Sequence, residues 1–306
     1  MRGVQQLEKV TPASGAIVMA TGIVSVDLSS AGHETLSRIL LAIAGVVWLA
    51  LFALFVARAA LNPARLRADA STPAALTAVA ASEVLGTRWT LLGRDWAGFV
   101  FLAFAVAFWL PLVAPVLRHW ATPTVGVSFM LAVSTESIAV LSATLAGALR
   151  APGLAYAALV PFVLGLGAYV FVLARFDLRQ LLTGRGDHWV IGGALAIATL
   201  AAGRIALGGV DLPDAALLAL WGAAMVWLPV LVVAEAIRPR PGYDIRRWAT
   251  VFPLGMYAAC SFVVATAVHA DGLRRFAEAW TWVALLAWLA VLIAAVVRTP
   301  STPPPA

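Results

Sequence analysis

Five ionisable residues, Asp27, Glu83, Arg88, Glu136 and Arg204, interrupt stretches of sequence that are otherwise apolar. Ionisable groups inside runs long enough to cross a bilayer are costly, face the protein interior or a water-filled cavity, and mark ion pathways or proton relays. The two arginines can draw anions into a path or, equally, reach out to the interface along their aliphatic stems. Glu83 and Glu136 can take up and release protons, or can form structural pairs, Glu83 with Arg88 for instance. Asp27, near the end of its run, reads as an interfacial cap. Hydroxyls at Ser134, Thr135, Ser137 and Thr250 are further candidates for anion contacts. Metal-dependent chemistry is not expected, because His33, His119, His188 and His269 all fall in loops or at the ends of runs and no ligand cluster can be assembled from the interiors. A serine nucleophile would have no His or Lys at depth to serve as its base. An intramembrane enzyme is therefore the remote reading, and neither a catalytic residue nor a cofactor is expected. The single cysteine, Cys260, excludes an intramolecular disulfide and reads as a small buried hydrophobe.

The elements that carry these residues follow from composition. The chain of 306 residues is 62% hydrophobic and 12% charged, against about half and a quarter in a soluble domain. Runs of roughly 20 apolar residues, enough to span a bilayer, recur throughout. Punctuation by polar residues predicts ten helices, over 12–30, 36–58, 74–92, 95–117, 128–149, 153–174, 188–207, 214–236, 248–268 and 276–297. The fold class is thus an all-α polytopic membrane protein, with one transmembrane domain over 1–298 and a Pro-rich tail, "TPSTPPPA", expected to be disordered over 299–306. The amino-terminal apolar run, from Pro12 to Leu28, exceeds the core of a typical signal peptide and reads as a first span. The net charge of +6 does not signal nucleic-acid binding, since nearly all the basic residues lie in short loops. With the amino terminus inside, 14 of the 21 basic residues fall on the inner side, which predicts both termini in the cytoplasm and a multi-pass protein of the cytoplasmic membrane.

The ten runs are not alike. Ser and Thr number 19 in the odd-numbered runs and 2 in the even-numbered ones. All five ionisable residues above lie in odd runs. Polar side chains avoid lipid, whereas helices apolar all round can face it. The simplest packing is five hairpins, each with a polar inner and a greasy outer helix, the odd helices forming an inner ring around a central pore. Small residues in "SGAIVMATG" (14–22) and "GGALAIATLAAG" (192–203) let inner helices approach closely.

Three segments, "TPASGAIVMATGIVS" (11–25), "EVLGTRW" (83–89) and "WATVFPLGMY" (248–257), resemble the tellurite-resistance/C4-dicarboxylate transporter family, which includes sulfite exporters and the slow anion channels of guard cells. The resemblance extends over almost the whole chain and is most specific at the Phe-Pro pair of the ninth run. It departs at Gly15, where an aromatic residue is common. It implies ten helices in five hairpins, a homotrimer with a pore through each protomer, and a phenylalanine of the ninth helix, here Phe252, closing that pore. Pro253 removes a backbone donor, a loss that a wet cavity can offset, and aims the neighbouring ring into the path, where bulk and dewetting close it.

The function expected is an anion channel or transporter for small anions (chloride, nitrate, sulfite) or C4-dicarboxylates. The alternative is a proton-coupled dicarboxylate or sulfite carrier using Glu83 and Glu136. Parallel repetition of hairpins leans towards the channel, because carriers with rocking halves are typically built on inverted repeats.

Overall fold

The computed structural model describes residues 10–240 and 242–297; the expected tail over 299–306, and Arg2, Lys9 and Arg298 of the charge count, lie outside the described residues. Ten long helices carry the architecture: α1 Gly15–Ser30, α2 Glu34–Leu61, α3 Thr77–Leu91, α4 Asp95–Arg118, α5 Met130–Leu149, α6 Pro152–Leu173, α7 Val190–Leu207, α8 Asp214–Ile237, α9 Trp248–Ala267 and α10 Asp271–Val296. Each odd-numbered helix is entered through a single 3-10 turn. Among the described residues nine helices are long and apolar enough to cross a membrane. The one that falls short is α3, with 15 residues and with Glu83, Thr87 and Arg88 diluting its hydropathy.

One boundary differs from expectation, and two stretches expected as loops hold short helices, Pro63–Ala70 and Gln180–Thr183. The last helix begins at Asp271 instead of 276, because its charged first turn (Asp271, Arg274, Arg275) continues the apolar run without a break. The stretch after α2 holds the first of these short helices. Asn62 caps it by accepting from the Arg65 N–H at 3.1 Å, with Pro63 in the first helical position, where the missing donor costs nothing.

Burial separates the helices sharply. The most apolar windows of α1, α5, α7 and α9, taken with their entry turns, are 78–89% buried, whereas those of the five even helices are 11–22% buried. In water the most apolar helices would be innermost; here the order is inverted, as expected when lipid solvates the exterior. α1 packs on α3, α3 on α5, α5 on α7, α7 on α9, and α9 returns to α1. Each even helix lies against the odd helix preceding it and touches the one following. The small-residue segments occupy these seams: Gly22 lies against Val84, and Gly203 against Val263.

Most inner hydroxyls have a structural task. Indole N–H groups of outer helices donate inward: Trp48 to Ser82 (3.0 Å), Trp109 to Thr135 (3.0 Å), Trp221 to Ser261 (2.8 Å) and Trp288 to Thr21 (3.0 Å). Many hydroxyls also donate to the carbonyl four residues back. Pairing tryptophans outside with hydroxyls inside satisfies buried polar groups where no water is at hand. The hydroxyls of the odd helices are thus largely engaged in bonds along their own helix or from an outer tryptophan, and only a few of these side chains border open space.

Candidate functional site

Two cavities lie within the cycle of odd helices. The first, about 30 Å³, is lined from all five of them: Ile23 and Val26 of α1, Glu83 and Thr87 of α3, Ser137 and Val140 of α5, Leu200 and Arg204 of α7, Phe252 and Met256 of α9. The second, about 370 Å³, is lined by the amino-terminal ends of the same helices and their entry turns, including Ala16, Met19, Thr77, Met130, Asp187, Val190, Arg246 and Ala249. The first is a narrow chamber and the second a vestibule. Among the described residues Phe252 alone lines both, and it is 3% exposed. The ring therefore stands between them, at the fifth residue of α9.

Its position is fixed by the residues around it. Pro253 lies inside α9 and packs on Gly193 of α7, where a methyl group would stand 2.7 Å from the proline Cγ. Only a residue without a side chain allows α7 that close. The carbonyl four residues before the proline, which loses its helical donor, is that of Ala249, and Ala249 borders the vestibule. Gly15, the departure from the family pattern, receives Thr77 directly, and the Thr77 hydroxyl donates to the Pro12 carbonyl at 2.8 Å. That seam between α1 and α3 forms one wall of the vestibule. On the other side, Glu235 at the end of α8 accepts from Trp189 (3.3 Å) and Arg240 (3.0 Å) and pairs with Arg247 (2.9 Å), tying together the starts of α7 and α9. Arg246, which reaches the vestibule, is held by Asp244 through bonds of 3.0 and 2.8 Å. The guanidinium keeps the Asp244 carboxyl below its usual 3.8.

The chamber unites three of the residues singled out in the sequence besides Phe252. Glu83 is buried, and among the described residues neither of its carboxylate oxygens has a hydrogen-bond partner. Arg204 faces the same chamber and has no ion pair among the described residues. Ser137 is there as well. Thr87, one turn beyond Glu83, also has an unpartnered hydroxyl and was overlooked; its place four residues after Glu83, hence on the same helix face, was the available signal. α3 neighbours α1 and α5, whereas α7 neighbours α5 and α9, so Glu83 and Arg204 line the chamber from helices that are not neighbours.

The other candidates point elsewhere. Arg88 turns outward to α2, bonding Glu34 at 2.7 and 2.8 Å and Ser37 at 2.9 Å, and is fully buried. It does not pair with Glu83. Glu136 is aimed at α6, where Gly165 leaves room for its methylenes, and its carboxylate has no hydrogen-bond partner among the described residues. Thr135 faces Trp109 of α4. Ser134 donates back to the Leu131 carbonyl at 3.3 Å, and Thr250 to the Gly186 carbonyl at 3.3 Å. None of these five lines the chamber or the vestibule. Asp27 is not an interfacial cap: it is fully buried and unpartnered, its carboxylate against Gly255 of α9.

A cavity lined from every odd helix, inside a bundle in which nine helices among the described residues are long and apolar enough to cross a membrane, is the arrangement of a polytopic membrane protein. The chain belongs to the voltage-dependent anion channel family, whose profile matches residues 9–296, and which takes in the tellurite-resistance/C4-dicarboxylate transporters. Two curated relatives, both described as uncharacterised membrane proteins of Mycobacterium tuberculosis (strains CDC 1551 / Oshkosh and H37Rv), are 32% identical over 124 residues. The match takes in 35% of this chain and 61% of each relative, so the chain spans about three fifths of their length.

Proposed function

We propose that the protein conducts small anions or C4-dicarboxylates across the cytoplasmic membrane, through a pore that runs from vestibule to chamber along the axis of the odd helices. In this reading α3 and its entry turn complete a tenth crossing, the five hairpins form an inner and an outer ring, and three protomers associate, each with its own path. Both termini face the cytoplasm, as the distribution of arginines suggests. Phe252 with Pro253 is the gate. The observation that carries the proposal is the unique position of the Phe252 ring, shared by two cavities that are otherwise lined by different residues.

Selectivity for anions rests on Arg204, which has no ion pair among the described residues, assisted by the Thr87 hydroxyl. A site of low dielectric makes such a charge count for more than it would in water. Flux of chloride, nitrate, sulfite and malate into proteoliposomes, in competition and with reversal potentials, tests the proposal. Anion selectivity supports it; cation selectivity, or no flux with Phe252→Ala, contradicts it.

A second reading is favoured by Glu83. A carboxylate in the chamber with no hydrogen-bond partner among the described residues would repel an arriving anion, so protonation of Glu83 before or with anion entry would couple the two movements. Reversal potentials that depend on the pH gradient distinguish this proton-coupled carrier from a passive channel. Glu136, turned to α6, would join such a relay only from behind the inner ring.

A further inference from the structure

A third cavity lies outside the cycle of odd helices. It occupies about 140 Å³ between the first two hairpins, at their arginine-rich end. Its walls are almost wholly apolar, with Trp48, Phe52 and Phe55 of α2 and Phe108 and Leu112 of α4 on the outer side and Gly15, Thr77 and Ala78 on the inner side. Towards lipid, rings of α2 and α4 interlock: Trp48 with Phe104 at 5.8 Å, Phe52 with Phe104 at 5.7 Å and Phe55 with Phe108 at 5.4 Å between centroids. The short helix Pro63–Ala70 closes the end, turning Leu66 into the cavity and leaving Arg65 and Arg67 exposed. Asp69 on that helix pairs with Arg58 at 3.2 Å and with Arg65 at 3.3 Å.

An apolar cavity of about 150 Å³ stays dry and takes up an apolar guest, because its lining otherwise forfeits contacts on one side. Here the supply of guests is the bilayer itself. Two exposed arginines stand at the rim, Arg65 beside Asp69 at 3.3 Å and Arg67 with no acidic partner among the described residues, which places positive charge at the depth where a headgroup would sit. Charge and cavity together specify one occupant.

We propose that this crevice binds an anionic phospholipid, one acyl chain lying behind the aromatic rings and the phosphate against Arg65 and Arg67. The chain would rest on the outer side of the Gly15–Thr77 seam, whose inner side is a wall of the vestibule. The site is independent of the conduction pathway proposed above.

The test is native mass spectrometry of the full-length protein in mild detergent, with phosphatidylglycerol or phosphatidylcholine added. The wild type should retain phosphatidylglycerol in preference to phosphatidylcholine. Ala78→Phe, which fills the crevice from an exposed position, should weaken retention of both lipids about tenfold, the equivalent of about two buried methylenes. Arg65→Gln with Arg67→Gln should remove the preference while leaving retention of phosphatidylcholine unchanged. Size-exclusion profiles matching the wild type establish that the variants are folded; an Ala78→Leu variant serves if Ala78→Phe is not. Equal retention of the two lipids by the wild type, or undiminished retention by the folded filling variant, overturns the proposal.

Discussion

Replacing Phe252 by alanine removes the barrier on which the conduction pathway depends, and the size of the effect can be worked out. The ring is 3% exposed with a cavity on either side. For an anion to pass in the wild type the ring must leave this place and meet water. Exposing a buried phenylalanine side chain costs about 1.5–3 kcal/mol, which holds the open population to roughly one molecule in ten to one in a hundred. Phe252→Ala abolishes that cost, so anion flux should rise about 10- to 100-fold. Phe252→Leu, retaining most of the bulk, should give a smaller rise. Truncating a fully packed phenylalanine costs about 3–5 kcal/mol of stability; bordered by open space on two sides, this one should cost towards 3 kcal/mol. Iodide-quenched fluorescence in proteoliposomes measures the flux, and thermal unfolding in detergent the stability. A folded Phe252→Ala protein with wild-type flux would refute the gate.

Four other outcomes follow from the same geometry. Glu83→Gln should flatten the dependence of flux on pH, while Glu136→Gln, outside the chamber, should leave it unchanged; stopped-flow flux from pH 5 to 8 checks both. Arg204→Gln should lower anion-over-cation selectivity, read as a reversal potential moving towards the cation value, by about a kilocalorie per mole or more because the charge is only partly screened. Gly193→Ala forces a methyl group onto Pro253 and should lower stability by about 1–3 kcal/mol, seen as a reduced melting temperature. Asp244, whose carboxyl is held low by Arg246, contributes stability that is fully present above about pH 3.8 and lost as pH falls through the depressed value. Asp244→Asn should thus cost less than about 1 kcal/mol at pH 7 and nothing in strong acid, by thermal unfolding at each pH.

The outline of the fold was legible because lipid leaves the backbone few choices: each long apolar run became a helix, and the polar runs became the buried ones. The facing of individual side chains was not legible, since each residue turns a helix by about 100°. Thr135, Glu136 and Ser137 are consecutive and polar, yet they point to α4, to α6 and to the chamber. Likewise Glu83 and Thr87 share a face while Arg88 is rotated to α2. Residue type alone cannot resolve such neighbours; which helix packs on which side decides. Hydroxyl content predicted burial for a reason only partly related to a path, because the tryptophans of the outer helices need acceptors within. The Phe252–Pro253 pair was legible from its family pattern, but what seats it, Gly193, lies some sixty residues away.

The central claim is that vestibule and chamber are two parts of one aqueous path separated by the Phe252 ring. With the sole cysteine, Cys260, replaced by alanine, Ala16→Cys in the vestibule and Val263→Cys in the chamber can be probed with a membrane-impermeant, negatively charged thiol reagent added to either side of the membrane. The account predicts that each position reacts from one side only in the presence of Phe252 and from both sides with Phe252→Ala, and that modification at either position blocks flux. Failure of Phe252→Ala to extend reactivity to the far side, or flux undiminished after complete modification, would contradict it.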